Sequence, residues 1–145
     1  MLHLPTLPHL MEGATMDLQD VVDAAHSVAK KAYAPYSDFH VGAAVLTEGG
    51  EVHTGCNVEN ASYRLTVCAE HNAIAQMVNA DPKDREVKLV AIVSPEAAPC
   101  FPCGACRQVL REFGCKEVVV EEESGIRSYS FEEEILPHSF GPEVL

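Results

Sequence analysis

Pro102-Cys103-Gly104-Ala105-Cys106, read together with Cys68-Ala69-Glu70 upstream, decides what this chain folds around. Two cysteines with two residues between them bring their sulfurs together at a turn. One tetrahedral zinc ion, with thiolate bonds of about 2.3 Å, needs that convergence. Redox pairs and structural zinc knuckles share the spacing, so the pair alone leaves the chemistry open. Cys68 supplies a third thiolate, and Glu70 a carboxylate close behind it. A closed structural site would want a fourth Cys or His. Three sulfurs beside a glutamate describe instead a metal with one position free for water and a proton acceptor next to it.

Cys100 offers a competing register, because Pro99-Cys100-Phe101-Pro102-Cys103 is also P-C-x-x-C. Proline has no N–H to donate inside a helix and belongs at its entrance. Pro102 therefore puts Cys103 and Cys106 on an ordered turn and leaves Cys100 in the loop before it. Cys68 also opens a helix, and the exposed amides of helix N-termini favour thiolates. Glu70 lies about 200° around that helix from Cys68, which suits acid–base work better than joint ligation. Cys56, Cys100 and Cys115 read as core or loop thiols.

The whole chain has 145 residues, 47% hydrophobic, with a net charge of −12. That length suits one domain over residues 16–145, with 1–15 a disordered extension and Met16 an alternative start. An acidic surface repels phosphates, so a polynucleotide partner is disfavoured while a neutral nucleoside is not. Six cysteines, three of them clustered near prolines, fit metal ligation in a reducing, cytoplasmic compartment better than a disulfide framework. No run approaches the roughly 18 apolar residues of a membrane span, and no basic residue precedes the apolar N-terminus as in a secretion signal.

Apolar spacing from Asp17 to Ala32 predicts a helix, capped by Thr15 and stopped by Pro35. Val41–Leu46 and Glu51–Val58 read as a hairpin about Glu48-Gly49-Gly50. Ala61–Leu65 reads as a loop and Val67–Ala80 as a helix closed by Asp81-Pro82. Val87–Val93 is a nearly continuous apolar strand, of the kind covered on both faces. Ser94–Pro102 is a proline-broken loop, Cys103–Phe113 a helix ended by Gly114, and Lys116–Glu121 and Arg127–Phe131 are strands. The acidic clusters Glu121–Glu123 and Glu132–Glu134 read as solvated surface. The order α-β-β-α-β-α-β-β implies an α/β fold, a mixed sheet of about five strands with helices on both faces.

Cys-x-Glu followed by Pro-Cys-x-x-Cys resembles the zinc-dependent cytidine and nucleobase deaminases. The segments Tyr36–Ala44, Gly55–Tyr63, Leu65–Glu70, Pro102–Phe113 and Leu136–Glu143 narrow the resemblance to the small homotetrameric enzymes acting on free nucleosides. It runs from about Leu18 to the C-terminus. It implies a three-layer α-β-α fold and one zinc per subunit, held by Cys68, Cys103 and Cys106. Glu70 would carry protons in the hydrolysis of cytidine and 2′-deoxycytidine to the uridine forms plus ammonia, a pyrimidine-salvage reaction. Asn57 and Glu59, two apart on an extended segment, point to one side, and the resemblance places them on the ribose 3′ oxygen. It packs Phe39 against the base, adds a substrate contact at Ala69, and sends Ala61, Tyr63 and Phe140 into a neighbouring subunit's pocket.

One zinc with three thiolates is net −1, and nearby cations offset that charge. The resemblance gives Arg107 this role. His71 stands where relatives usually carry a second arginine, and because a histidine's charge varies near neutral pH, a shifted pH optimum is expected. Arg64 stands where relatives often have a small residue. Alternatives remain at this stage. Asn57 and Glu59 can serve a turn and the surface, and Phe39 and Phe140 the core or an interface. The enzyme could act on another aminopyrimidine nucleoside, and the whole could be a zinc-stabilised binding module.

Overall fold

The computed structural model describes residues 16–145, so the expected extension over 1–15, and the expected cap at Thr15 with it, lie outside the described residues. Helix α1 spans Leu18–Ala29 and is capped by Asp17, whose side chain accepts from the Gln19 N–H while Asp20 reaches back to the Asp17 N–H. It stops short of Ala32 because the next residues are claimed elsewhere. The Tyr33 N–H donates to the Asn57 C=O at 3.0 Å, and the Glu59 N–H donates to the Tyr33 C=O at 2.8 Å. Pairing across space thus overrides helical spacing at that end.

Strands β1 (Gly42–Thr47) and β2 (Val52–Cys56) form the expected hairpin, and Gly50 takes a φ of 91° at its turn. Helix α2 is Ala69–Ala80, strand β3 Val87–Val93, helix α3 Gly104–Glu112, and strands β4 and β5 are Glu117–Glu122 and Gly125–Ser130. The sheet order is β2-β1-β3-β4-β5, with β3 and β4 parallel and the other neighbours antiparallel.

Successive residues of β1, β3 and β4 feed two cores, as the two-residue strand period dictates. Ala43, Val45, Val90, Ile92, Val118 and Val120 face α2 and α3. Ala44, Leu46, Leu89, Ala91 and Val119 face Val21, Val22, Ala25 and Ala29 of α1. Burial on both faces explains why β3 reads as a continuous apolar run. Among the described residues, no helix is long and apolar enough to cross a membrane.

The last strand departs from expectation at its end. Phe131 leaves the sheet to begin a π-helical turn, Phe131–Ile135, which inserts Phe131 and Ile135 into the α2/α3 core. The acidic clusters are also not purely solvated: Glu121 pairs with His26, Glu122 accepts from the Tyr129 hydroxyl, and Glu134 accepts from the Ser130 N–H.

Gly55 of β2 lets α2 sit directly on the strand. A Cβ there would press into backbone atoms of Ala69, Asn72 and Ala73, none of which can swing away. Gly55→Ala should therefore destabilise the protein by about 2 kcal/mol or more, read as a lower denaturant midpoint. An unchanged midpoint would mean that α2 does not seat this closely.

Candidate active site

Strand register gathers the site at one end of the sheet. Gly42 pairs with Cys56 on one side and Val93 on the other, so residues 39–41, 57–59 and 94–96 leave the sheet together. The Asn72 side chain donates to the Cys56 C=O at 2.8 Å and ties the start of α2 to that end. From the carboxyl end of β3, the chain passes through residues 94–102 into α3. Crevices at such carboxyl ends are the usual ligand sites of α/β sheets.

Cys68 is the N-cap of α2, Cys103 the N-cap of α3, and Cys106 lies in the first turn of α3. Neither capping side chain takes a backbone N–H of its own helix, so neither sulfur is spent on capping. The three sulfurs lie within 4.8 Å of one another, with Cys103 and Cys106 3.5 Å apart. A tetrahedral zinc ion with bonds of about 2.3 Å sets its sulfurs roughly 3.8 Å apart, so the cluster fits. Among the described residues, no fourth His, Cys, Asp or Glu completes the group. Cys106 is buried and Cys103 exposed, which leaves the cluster open on one side. Cys100 stands apart from it, half-buried, and burial together with the Glu70 charge pushes its thiol up to about 11. Burial likewise pushes Cys115 up to about 12.

Crowding makes the sulfurs compete for protons. A hydrogen bond from Cys106 pulls Cys68 down to about 7, against burial and the Glu70 charge. That same bond, with burial, drives Cys106 well up. Beside them Glu70 is only 4% exposed. Burial lifts its carboxyl above the ordinary range, and its own backbone N–H, the Cys106 thiol and His71 offset part of the rise. A group so placed takes up a proton readily.

The two expected cationic neighbours do something else with their hydrogen bonds. Arg107 donates through Nε to the Pro102 C=O at 2.9 Å and through a terminal nitrogen to the Ile135 C=O at 2.6 Å. His71 keeps Nε2 buried without a partner. Neither bonds a sulfur among the described hydrogen bonds.

Asn57 and Glu59 do lie on the segment leaving β2, but their side chains brace the residues before β1. Asn57, buried, accepts from the Val41 N–H and donates to the Phe39 C=O, both at 2.8 Å. Glu59 accepts from the N–H groups of Tyr36 and Ser37 at 3.0 and 3.1 Å, and from the Ser37 hydroxyl. These bonds hold the Glu59 carboxyl low, with the Ser37 hydroxyl foremost.

Phe39 and Phe140 are exposed rather than core residues. Ala61, Tyr63 and Arg64 lie on the surface, where the Tyr63 ring tilts against Tyr36 at 6.1 Å between centroids. Ala69 is fully buried at the first turn of α2. Sequence reasoning missed the polar residues that hold these loops: Ser37, His40, Glu96, Gln108 and Arg111. Gln108 donates to the Phe140 C=O at 3.0 Å, and Arg111 to Ser139 Oγ at 2.8 Å and to Glu143. Only contacts across space reveal them.

Comparison with known proteins agrees with this geometry. Residues 15–122 match the family model described as the cytidine and deoxycytidylate deaminase zinc-binding region. The chain is 38% identical over 132 residues to a cytidine deaminase of Sporosarcina psychrophila, covering 90% of this chain and 96% of that protein. It is 43% identical over 121 residues to a cytidine deaminase of Mycobacterium tuberculosis, covering 83% and 87%. A crystal structure of cytidine deaminase from Burkholderia pseudomallei superposes with a TM-score of 0.77 at 42% identity, covering 86% of this chain and all of that one.

Metal analysis of the purified protein should find one zinc per chain. Cys106→Ala should lose it and Cys56→Ala should keep it. Zinc retained by Cys106→Ala would place the metal elsewhere.

Proposed function

The chain belongs to the cytidine and deoxycytidylate deaminase family, and from that premise we propose that it hydrolyses cytidine and 2′-deoxycytidine to uridine and 2′-deoxyuridine, releasing ammonia. The observation that carries this reading is a buried carboxyl, Glu70, beside a three-sulfur cluster that no fourth side chain closes. Zinc held by Cys68, Cys103 and Cys106 supplies, when bound, the Lewis acidity that makes water a nucleophile at neutral pH. Glu70 takes the proton of the attacking water and passes it to the ring nitrogen beside the reacting carbon. It then serves the departing amine. Its raised proton affinity suits that relay, and its burial keeps the proton from bulk water.

Phe39 packs against the base, and Ala69 lies against the substrate at the start of α2. Asn57 and Glu59 meet a ribose hydroxyl with the lone pairs that their bracing bonds leave free. Arg107 fixes the entrance of the metal-bearing helix by holding the Pro102 carbonyl. Residues 16–145 act as one domain, supported by a single sheet with a core on each face. Exposed Tyr33, Tyr63, Leu65, Val67 and Phe140 support a homotetramer, with Ala61, Tyr63 and Phe140 reaching a neighbour's site. Six free cysteines support a cytoplasmic role in pyrimidine salvage. The acidic charge of −12 supports a nucleoside rather than a nucleic acid.

Ammonia release from cytidine should stop on chelation and return with zinc. Glu70→Gln should keep zinc and fold yet lose activity about a thousandfold; retained turnover would remove Glu70 from the chemistry. A panel of aminopyrimidine nucleosides should show cytidine and deoxycytidine turned over fastest.

Light scattering should give the mass of four chains. Phe140→Ala should raise KM in the assembled enzyme. An active monomer would overturn the shared site.

A further inference from the structure

His40 and Glu96 are 56 residues apart in the chain and meet where β1 begins and β3 ends. Glu96 accepts from the His40 N–H at 3.1 Å, and its other oxygen meets His40 Nδ1 at 2.6 Å. A carboxylate can only accept, so Nδ1 carries the proton. The Ser94 hydroxyl donates to Glu96 at 3.0 Å, and the Glu96 N–H donates back to Ser94 Oγ at 3.2 Å. Partial desolvation opposes ionisation of Glu96, yet the His40 ring, the His40 N–H and the Ser94 hydroxyl hold it below the ordinary range.

From the other side, the Phe39 N–H donates to Ser37 Oγ at 3.0 Å, and Asn57 takes the Phe39 C=O and the Val41 N–H. The N–H and C=O of Phe39 and the N–H groups of His40 and Val41 are thus all bound by side chains. Asp38, just before them, turns the chain at a φ of 56°, a left-handed conformation that aspartate enters more readily than most side chains. Connecting segments are ordinarily the mobile part of a fold. Here the segment is clamped from both sides, and the side chain it carries at its centre is Phe39, 36% exposed.

Stability does not account for the latch. The two side chains are 29% and 35% exposed, and exposed ion pairs contribute little to folding. We infer that Glu96, acting through His40, is a positioning residue that sets the Phe39 ring against the base of the substrate. The inference rests on the reading above that Phe39 meets the base. A ring fixed before the substrate arrives costs no ordering on binding, so the effect belongs in KM.

The test is steady-state kinetics with cytidine on the zinc-loaded enzyme, comparing Glu96→Gln, Phe39→Ala and their double variant. Glu96→Gln should raise KM about fivefold while kcat stays within about twofold, with zinc content and melting temperature as in the parent. In the Phe39→Ala background it should add nothing, because the side chain through which it acts is gone. His40→Gln, which leaves the Ser94–Glu96 bonds in place, should move KM the same way. If Phe39→Ala leaves KM unchanged, the reading of Phe39 falls. If Phe39→Ala raises KM but Glu96→Gln does not, or the two effects add, that reading stands and the latch is overturned. A fall in kcat in step with lost zinc would assign Glu96 to the cysteine-bearing loop and also overturn the inference.

Discussion

Three sulfur atoms within 4.8 Å of one another cannot all be thiolates unless a cation lies among them. That electrostatic requirement organises the molecule. Two of the three occupy N-caps and the third a first turn, so the amide ends of α2 and α3 face each other across the cluster. Their partial positive charge favours thiolates but does not neutralise three of them. The fold brings the helix starts together and leaves the three sulfurs within reach of a single ion. Glu70, in the first turn of α2, is buried beside the cluster, and β2 meets that helix at Gly55 with no side chain between them.

The sheet end was legible in the sequence wherever a pattern was local. The two-face burial of β3 shows in an apolar run broken only by Lys88, and its observed bounds, Val87–Val93, match the expected ones. Pro102 likewise told which cysteines begin a helix, because a missing N–H is a property of one residue. Three features escaped for one shared reason. The early end of α1, the π-helical turn at Phe131 and the pairing of Glu121 with His26 are each set by a partner far along the chain. A one-dimensional pattern carries no record of such partners.

Asn57 and Glu59 show that spacing can place two side chains together without telling what their polar atoms bind. Both lie together beyond β2, as alternation on an extended segment requires. What spacing could not show is that their polar atoms already hold residues 36–41. An amide accepts twice and donates twice, so Asn57 retains capacity after its two bonds.

Arg107 carries the same lesson to the other side of the cluster. The resemblance makes it a cation beside the cluster, and its described hydrogen bonds go to the carbonyls of Pro102 and Ile135. Gln108 and Arg111, further along α3, hold Phe140, Ser139 and Glu143 in turn. The helix that begins with two cysteines of the cluster therefore also fastens the last segment of the chain. Any shift of α3 at its cysteine end would be carried to Phe140 through these side chains. The cysteine cluster and the last segment of the chain are thus tied to one and the same helix.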